Sequence, residues 1–179
     1  MKLLTPLLAV GLILIAGCYE QSPFQANLSD PALEPISSTS NPVMVPFRGA
    51  YDETIVLVSL PPPILELELS GEGVATHLGN STFFGLLQGL GEGVTRIQLT
   101  FTGASGDELE LSLEGFTSPP DENGDITFFG DWEVTGGSGR FKNGTGCGTY
   151  DGFGNLGTAV VFFDGEISKP TGKKPQLNL

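Results

Sequence analysis

Basic residues are scarce in this 179-residue chain: 8 Lys and Arg stand against 21 Asp and Glu, for a net charge of −13. Such a surface repels nucleic-acid phosphates instead of neutralising them, which excludes a nucleic-acid partner. It also provides no electrostatic hold on anionic lipid headgroups. There is one histidine, His77, and there are two cysteines, Cys18 and Cys147. A Ser–His–Asp arrangement would have to use His77, and no Gly-x-Ser-x-Gly elbow is present. His77 and Cys147 are also the sole strong nitrogen and sulfur ligands after the leader, too few for a zinc site. The loop Gly136-Gly137-Ser138-Gly139 has no helix after it to aim amides at a phosphate. Asp121-x-Asn123-x-Asp125 opens like a calcium loop, but Ile126 and Trp132 occupy its sixth and twelfth positions. No catalytic residue, metal or cofactor is assigned.

Long apolar runs are limited to the start of the chain. Lys2 precedes a stretch from Leu3 to Ile15 that is apolar apart from Thr5 and Pro6. It is shorter than the roughly 20 residues a spanning helix needs, and it suits the h-region of a signal peptide. Ile15-Ala16-Gly17-Cys18 resembles the lipobox of bacterial lipoproteins. That resemblance implies cleavage after Gly17 and a diacylglycerol on the Cys18 thiol, with the membrane reached through that lipid. The alternative is an ordinary secretory signal with a chance cysteine. Removing residues 1–17 takes away Lys2 and no acid, so −13 becomes −14. Tyr19 stands where an aspartate would suggest inner-membrane retention. By resemblance, this implies a cell-envelope location, with the outer membrane favoured in a Gram-negative cell.

Residues 18–44 carry Pro23, Pro31, Pro35 and Pro42 among Ser, Asn and Gln, the composition of a disordered tether. Residues 169–179 lack pattern and hold Lys169, Lys173 and Lys174, a basic tail. Between them, 45–168 is long enough for one domain. With Cys18 lipidated, Cys147 is expected as a buried, unpaired thiol between two glycines.

That domain reads as strand almost throughout. Ile97, Leu99 and Phe101 alternate with Gln98, Thr100 and Thr102; Leu109, Leu111 and Leu113 alternate with Glu108, Glu110, Ser112 and Glu114. A period of two with one apolar face predicts strands near 45–59, 65–77, 80–89, 94–103, 107–117, 125–135, 144–152 and 157–168. Eight antiparallel strands with one dry face predict an all-β, single eight-stranded barrel that leaves no edge; a two-sheet sandwich is the alternative.

Two segments carry a resemblance. They are Gly71-Glu72-Gly73-Val74-Ala75-Thr76-His77-Leu78-Gly79 and Val134-Thr135-Gly136-Gly137-Ser138-Gly139-Arg140-Phe141, the latter followed by Gly144-Thr145-Gly146 and a strand ending Phe163-Asp164-Gly165-Glu166-Ile167. Together they resemble the allene oxide cyclase-like barrel and the turn of plant dirigent proteins. The resemblance implies a calycin-like barrel with an interior cavity, and it carries over no catalytic residue.

Four positions are singled out as site candidates. His77 shares parity with Leu65, Leu67 and Leu69, which points it inward unless a bulge reverses the face. Arg140 is read as a loop-fixing ion pair with Asp131 or Glu133, or as an anion contact. Trp132 and Gly130 are expected beside a modest apolar pocket, because glycines at 73, 103, 115 and 130 leave gaps among Leu99, Phe101, Leu109, Leu111, Phe128 and Trp132. The favoured function is binding of a small apolar ligand or a partner without catalysis. A cyclase or isomerase using the cavity, or a packed structural or adhesive protein, are the alternatives. Oligomeric state stays open.

Overall fold

Alternation of apolar and polar residues gives each strand one face that gains by leaving water, and closure lets all eight dry faces share one interior. The computed structural model describes residues 41–59 and 65–172. Its strands are β1 (Met44–Ser59), β2 (Leu65–Ala75), β3 (Gly79–Gly91), β4 (Val94–Gly103), β5 (Glu108–Thr117), β6 (Asp125–Gly137), β7 (Gly146–Asn155) and β8 (Thr158–Ser168). Each pairs antiparallel with its neighbours in sequence, and β1 pairs with β8 to close the barrel. The sandwich alternative is thereby excluded.

The leader, Cys18 and residues 18–40 of the tether lie outside the described residues, as do residues 173–179. Two segments next to the barrel are bound to it: the Lys169 amide donates to the Val43 carbonyl, and the Thr171 amide to the Arg140 carbonyl.

Acidic side chains such as Glu110, Glu114, Asp131 and Glu133 point outward, while Phe101, Leu109, Leu111 and Leu113 are buried. At the centre, Phe101 is 0% exposed and meets Tyr51 and Phe163 edge-on, with ring centroids 5.2 and 5.3 Å away. Such edge contacts add to the burial of the rings themselves.

These rings fit because neighbouring strands present glycine beside them. Trp132 of β6 stands in register with Gly148 of β7, which faces Gly165 of β8, which faces Phe47 of β1. A Cβ on either glycine would lie 2.6 Å from Trp132 Cζ2. The indole therefore lies across both glycines and meets Phe47 at a centroid distance of 5.5 Å. Tyr51 lies over Gly73 in the same way. Its hydroxyl shares a 2.7 Å hydrogen bond with Ser81, the next residue in the row, and Ser81 donates onward to the Gly79 carbonyl.

Truncating the ring that joins these layers removes both buried area and its edge contacts. Phe101→Ala is expected to cost about 3–5 kcal/mol of unfolding free energy, measured by urea denaturation.

Candidate functional site

The two ends of the barrel differ in how their loops are held. At one end the 138–145 segment folds through a short 3-10 turn, Gly139–Phe141, which buries Phe141. Arg140 fixes this segment. Its Nε donates to Asp107 Oδ2 at 2.7 Å, and its Nη2 donates to the His77 carbonyl at 3.0 Å. The Asp107 side chain is 4% exposed, so this ion pair ties three connections together in a largely dry setting. With Phe47, Trp132 and Ile167 packed beneath, that end is closed.

The opposite end, at the β3–β4, β5–β6 and β7–β8 turns, is open. A cavity of about 610 Å³ enters the interior there, walled by Leu67, Leu69, Leu87, Ile97, Ile126 and Phe128. Leu65 and Leu156 line its mouth and are themselves exposed, so the apolar lining runs out to the rim. Its volume is within the range of small-molecule sites. A larger depression of about 1140 Å³ passes Asp52, Glu72, Asp121 and Asp125, but it is an open acidic trough that includes mostly outward-facing residues. The interior cavity has the apolar enclosure a ligand site requires.

Three polar side chains are buried in that apolar lining: Glu53, Thr95 and Tyr150. Each follows from strand parity. Glu53 continues the inward series Phe47, Gly49, Tyr51 on β1, and it faces Gly71 of β2 and Ala159 of β8. Tyr150 of β7 heads a row that runs through Gly130 of β6 and Gly115 of β5 to Thr95 of β4. A Cβ on Gly130 would come within 2.8 Å of the tyrosine ring, and one on Gly115 would collide with its hydroxyl. The ring therefore covers both glycines and carries its hydroxyl towards Thr95.

Their electrostatics are unusual. Burial pushes the Glu53 carboxyl up to about 7, and among the described residues no cation or hydrogen-bond donor meets it. Burial pushes the Tyr150 hydroxyl up to about 12, with Thr95 opposing the shift and the charge of Glu53 adding to it. Thr95 is close enough to stabilise the ionised phenol weakly, but among the described residues no group meets the Tyr150 hydroxyl in full hydrogen-bond geometry. A buried hydroxyl left so costs on the order of 1–3 kcal/mol. A carboxyl, a phenol and an alcohol thus converge on an apolar cavity.

No protein-family model and no curated protein matches the chain. Among solved structures, a pterocarpan synthase dirigent protein overlays with a TM-score of 0.57 at 11% identity, covering 84% of this chain and 100% of that one. The fold is that of a dirigent barrel. At this identity the likeness shows the fold alone.

Of the residues singled out from sequence, none is brought into the cavity. Strand β2 stops at Ala75, so His77 lies in the following turn, exposed and with φ of 67°. Its carbonyl, held by Arg140, is the part that takes a structural role. The partner of Arg140 is Asp107, not Asp131 or Glu133, whose strand positions face solvent. Trp132 is packed at the closed end, where its Nε1 donates to the Thr149 carbonyl at 2.9 Å. The expected gap at Gly130 is occupied by the Tyr150 ring. Cys147 lies in β7 and is not the unpaired thiol expected: it is disulfide-bonded. The Asp121 series is a turn, with Asp121 Oδ1 accepting from the Asn123 and Asp125 amides.

Two outcomes follow from these placements. Because the Glu53 carboxyl titrates near 7 when folded and near 4.5 when unfolded, the folded state holds a proton that the unfolded state has lost between those values. Stability should therefore fall as pH rises from about 4.5 to 7 and then level off, by on the order of 3 kcal/mol. Glu53→Gln should remove that slope in thermal melts. Arg140→Ala should cost roughly 3 kcal/mol in urea unfolding by leaving Asp107 buried without its cation.

Proposed function

We propose that the protein is a lipid-anchored envelope barrel that takes a small apolar ligand into its open end without catalysing a reaction. The observation that carries this reading is the 610 Å³ apolar cavity, which is continuous with an exposed apolar rim. A barrel with a purely structural or adhesive role has no use for an open interior, and filling it would gain burial energy at no cost to the outer surface. The solved dirigent protein is described as a pterocarpan synthase, so a barrel of this shape is compatible with small-molecule work.

The test uses Nile red, a neutral dye that brightens in apolar surroundings. Saturable binding at one site is expected, and Gly89→Phe should weaken it at least tenfold. Gly89 lines the cavity, and a Cβ there would meet the Leu65 Cβ at 3.2 Å, a tight contact that requires Leu65 to give by a few tenths of an ångström before the larger ring fills the space. Wild-type dye binding no stronger than that of Gly89→Phe, at equal melting temperature, counts against the cavity.

The second reading, an enzyme of cyclase or isomerase type, is favoured by one observation: a carboxyl pushed up to about 7 beside a buried phenol. Groups displaced in this way are typical of acid–base sites. Binding is the reading that needs only what the cavity provides.

Anchoring rests on the Leu3–Cys18 leader and its resemblance to a lipobox. Cys18 and Cys147 are the two cysteines of the chain, so a thioether-linked lipid on Cys18 and a disulfide joining the two exclude each other. The anchored reading takes the lipid and competes with the disulfide at Cys147. Cys18→Ser should abolish labelling by radioactive fatty acid and release the protein from membranes, whereas Cys147→Ser should leave both unchanged. Loss of a disulfide, with no loss of label, in Cys18→Ser would overturn the anchor.

A further inference from the structure

We infer that Tyr150, Thr95 and Glu53 make the inner end of the cavity selective for a neutral ligand bearing a hydrogen-bond acceptor, a ketone or comparable carbonyl, and hostile to carboxylates. This deepens the binding reading above and rests on it.

Two tyrosines, in equivalent settings, carry the inference. Tyr51 and Tyr150 both lie along a cross-strand row of glycine, and both reach towards a hydroxyl residue at its end. Tyr51 completes its hydrogen bond to Ser81 at 2.7 Å, in the packed part of the barrel. Tyr150 completes none, although it is 2% exposed, and it is the tyrosine that lines the cavity. A buried O–H whose geometry is fixed by the ring and two glycines, and which no group among the described residues meets in full hydrogen-bond geometry, is a donor held ready for an acceptor brought from outside. Phenylalanine would fill the same space without the cost of the buried hydroxyl.

Glu53 sets the charge of that ligand. Of the titratable groups around it, Tyr150 from β7 faces the same cavity. Asp52 on its own strand and Glu72 on β2 point outward, and Asp121 of the β5–β6 connection and Asp125 at the start of β6 border the outer trough that Glu53 also touches. All are acids or a phenol; none is a cation. An incoming carboxylate would bring a second negative charge into an apolar enclosure beside Glu53, with no Lys or Arg lining the cavity to meet it. A neutral acceptor carries no such penalty. With its proton on, Glu53 is a second donor; with its proton off, it repels the acceptor oxygen.

Three ligands of one shape test this by displacement of Nile red: 2-acetylnaphthalene, 2-ethylnaphthalene and 2-naphthoate. The ketone is expected to bind best of the three at pH 5.5, and the carboxylate to bind worst at pH 8. Tyr150→Phe should weaken the ketone roughly tenfold, the loss of one buried hydrogen bond, and leave the ethyl compound unchanged. Ketone binding should weaken as pH rises from 5.5 to 8.5 in the wild type and stay flat in Glu53→Gln, which should also admit the carboxylate better. Equal binding of ketone and ethyl compound, or equal weakening of both by Tyr150→Phe, overturns the acceptor while leaving apolar binding intact. Failure of all three to displace the dye, or failure of the dye to bind, overturns the binding reading itself.

Discussion

A large ring inside an eight-stranded barrel needs a neighbouring strand to give up its Cβ. Side chains from eight strands converge on a space only wide enough to be filled by them, and every aromatic residue added takes room from the residue beside it. Here the conflict is resolved in register: Trp132 over Gly148 and Gly165, Tyr51 over Gly73, Tyr150 over Gly130 and Gly115. Interior glycines cost strand propensity, but each lets a ring lie flat along a row that would otherwise hold two or three smaller side chains. These rows fix where the barrel is solid and how the tyrosine hydroxyls are aimed.

The same device has opposite consequences at the two ends. Towards the closed end, rings from several strands interlock, and Tyr51 ends on a hydroxyl that accepts it. The Arg140–Asp107 pair then pins the loops over that packing. Towards the open end the walls are mostly leucine and isoleucine with Phe128 beside them, they leave a cavity between them, and Tyr150 is the polar ring that lines it. Rigidity beneath and space above are what a preorganised site needs, since a donor can be costly and unpaired only where the surrounding fold is stable enough to hold it.

The strands were legible because parity is a local property. In Leu109, Leu111 and Leu113 against Glu108, Glu110 and Glu114, water and interior sort the residues with no reference to the rest of the chain, and the barrel follows from having no edge to spare. The end at which the interior stays open is not local. Trp132 shares its parity with Phe128 and Gly130, and nothing within β6 says that Phe47 arrives from β1 to bury it or that Tyr150 arrives from β7 to occupy the glycine gap. His77 was misplaced by two residues: the turn begins after Ala75, and a left-handed φ at His77 takes the ring off the inward series. Arg140 meets Asp107 across 33 positions of sequence, a distance at which charge counting cannot choose among acids.

Glu53 and Tyr150 were within reach of the sequence and were missed for a different reason. In Phe47-x-Gly49-x-Tyr51-x-Glu53-x-Ile55, one acid interrupts an otherwise inward-facing series, and in Gly148-x-Tyr150-x-Gly152 a lone ring stands between inward glycines. Both are violations of the pattern that defines the strands, and a search for agreement with the pattern passes over them. Physically they are the informative positions. A sequence selected only to close a barrel would place valine at 53 and phenylalanine at 150, removing a buried carboxyl and an unpaired hydroxyl at no cost in volume. Retaining both, on β1 and β7 at either side of β8 and lining one cavity, lowers the stability of the empty barrel. On the binding reading, that loss is offset when a ligand in the cavity accepts hydrogen bonds from both.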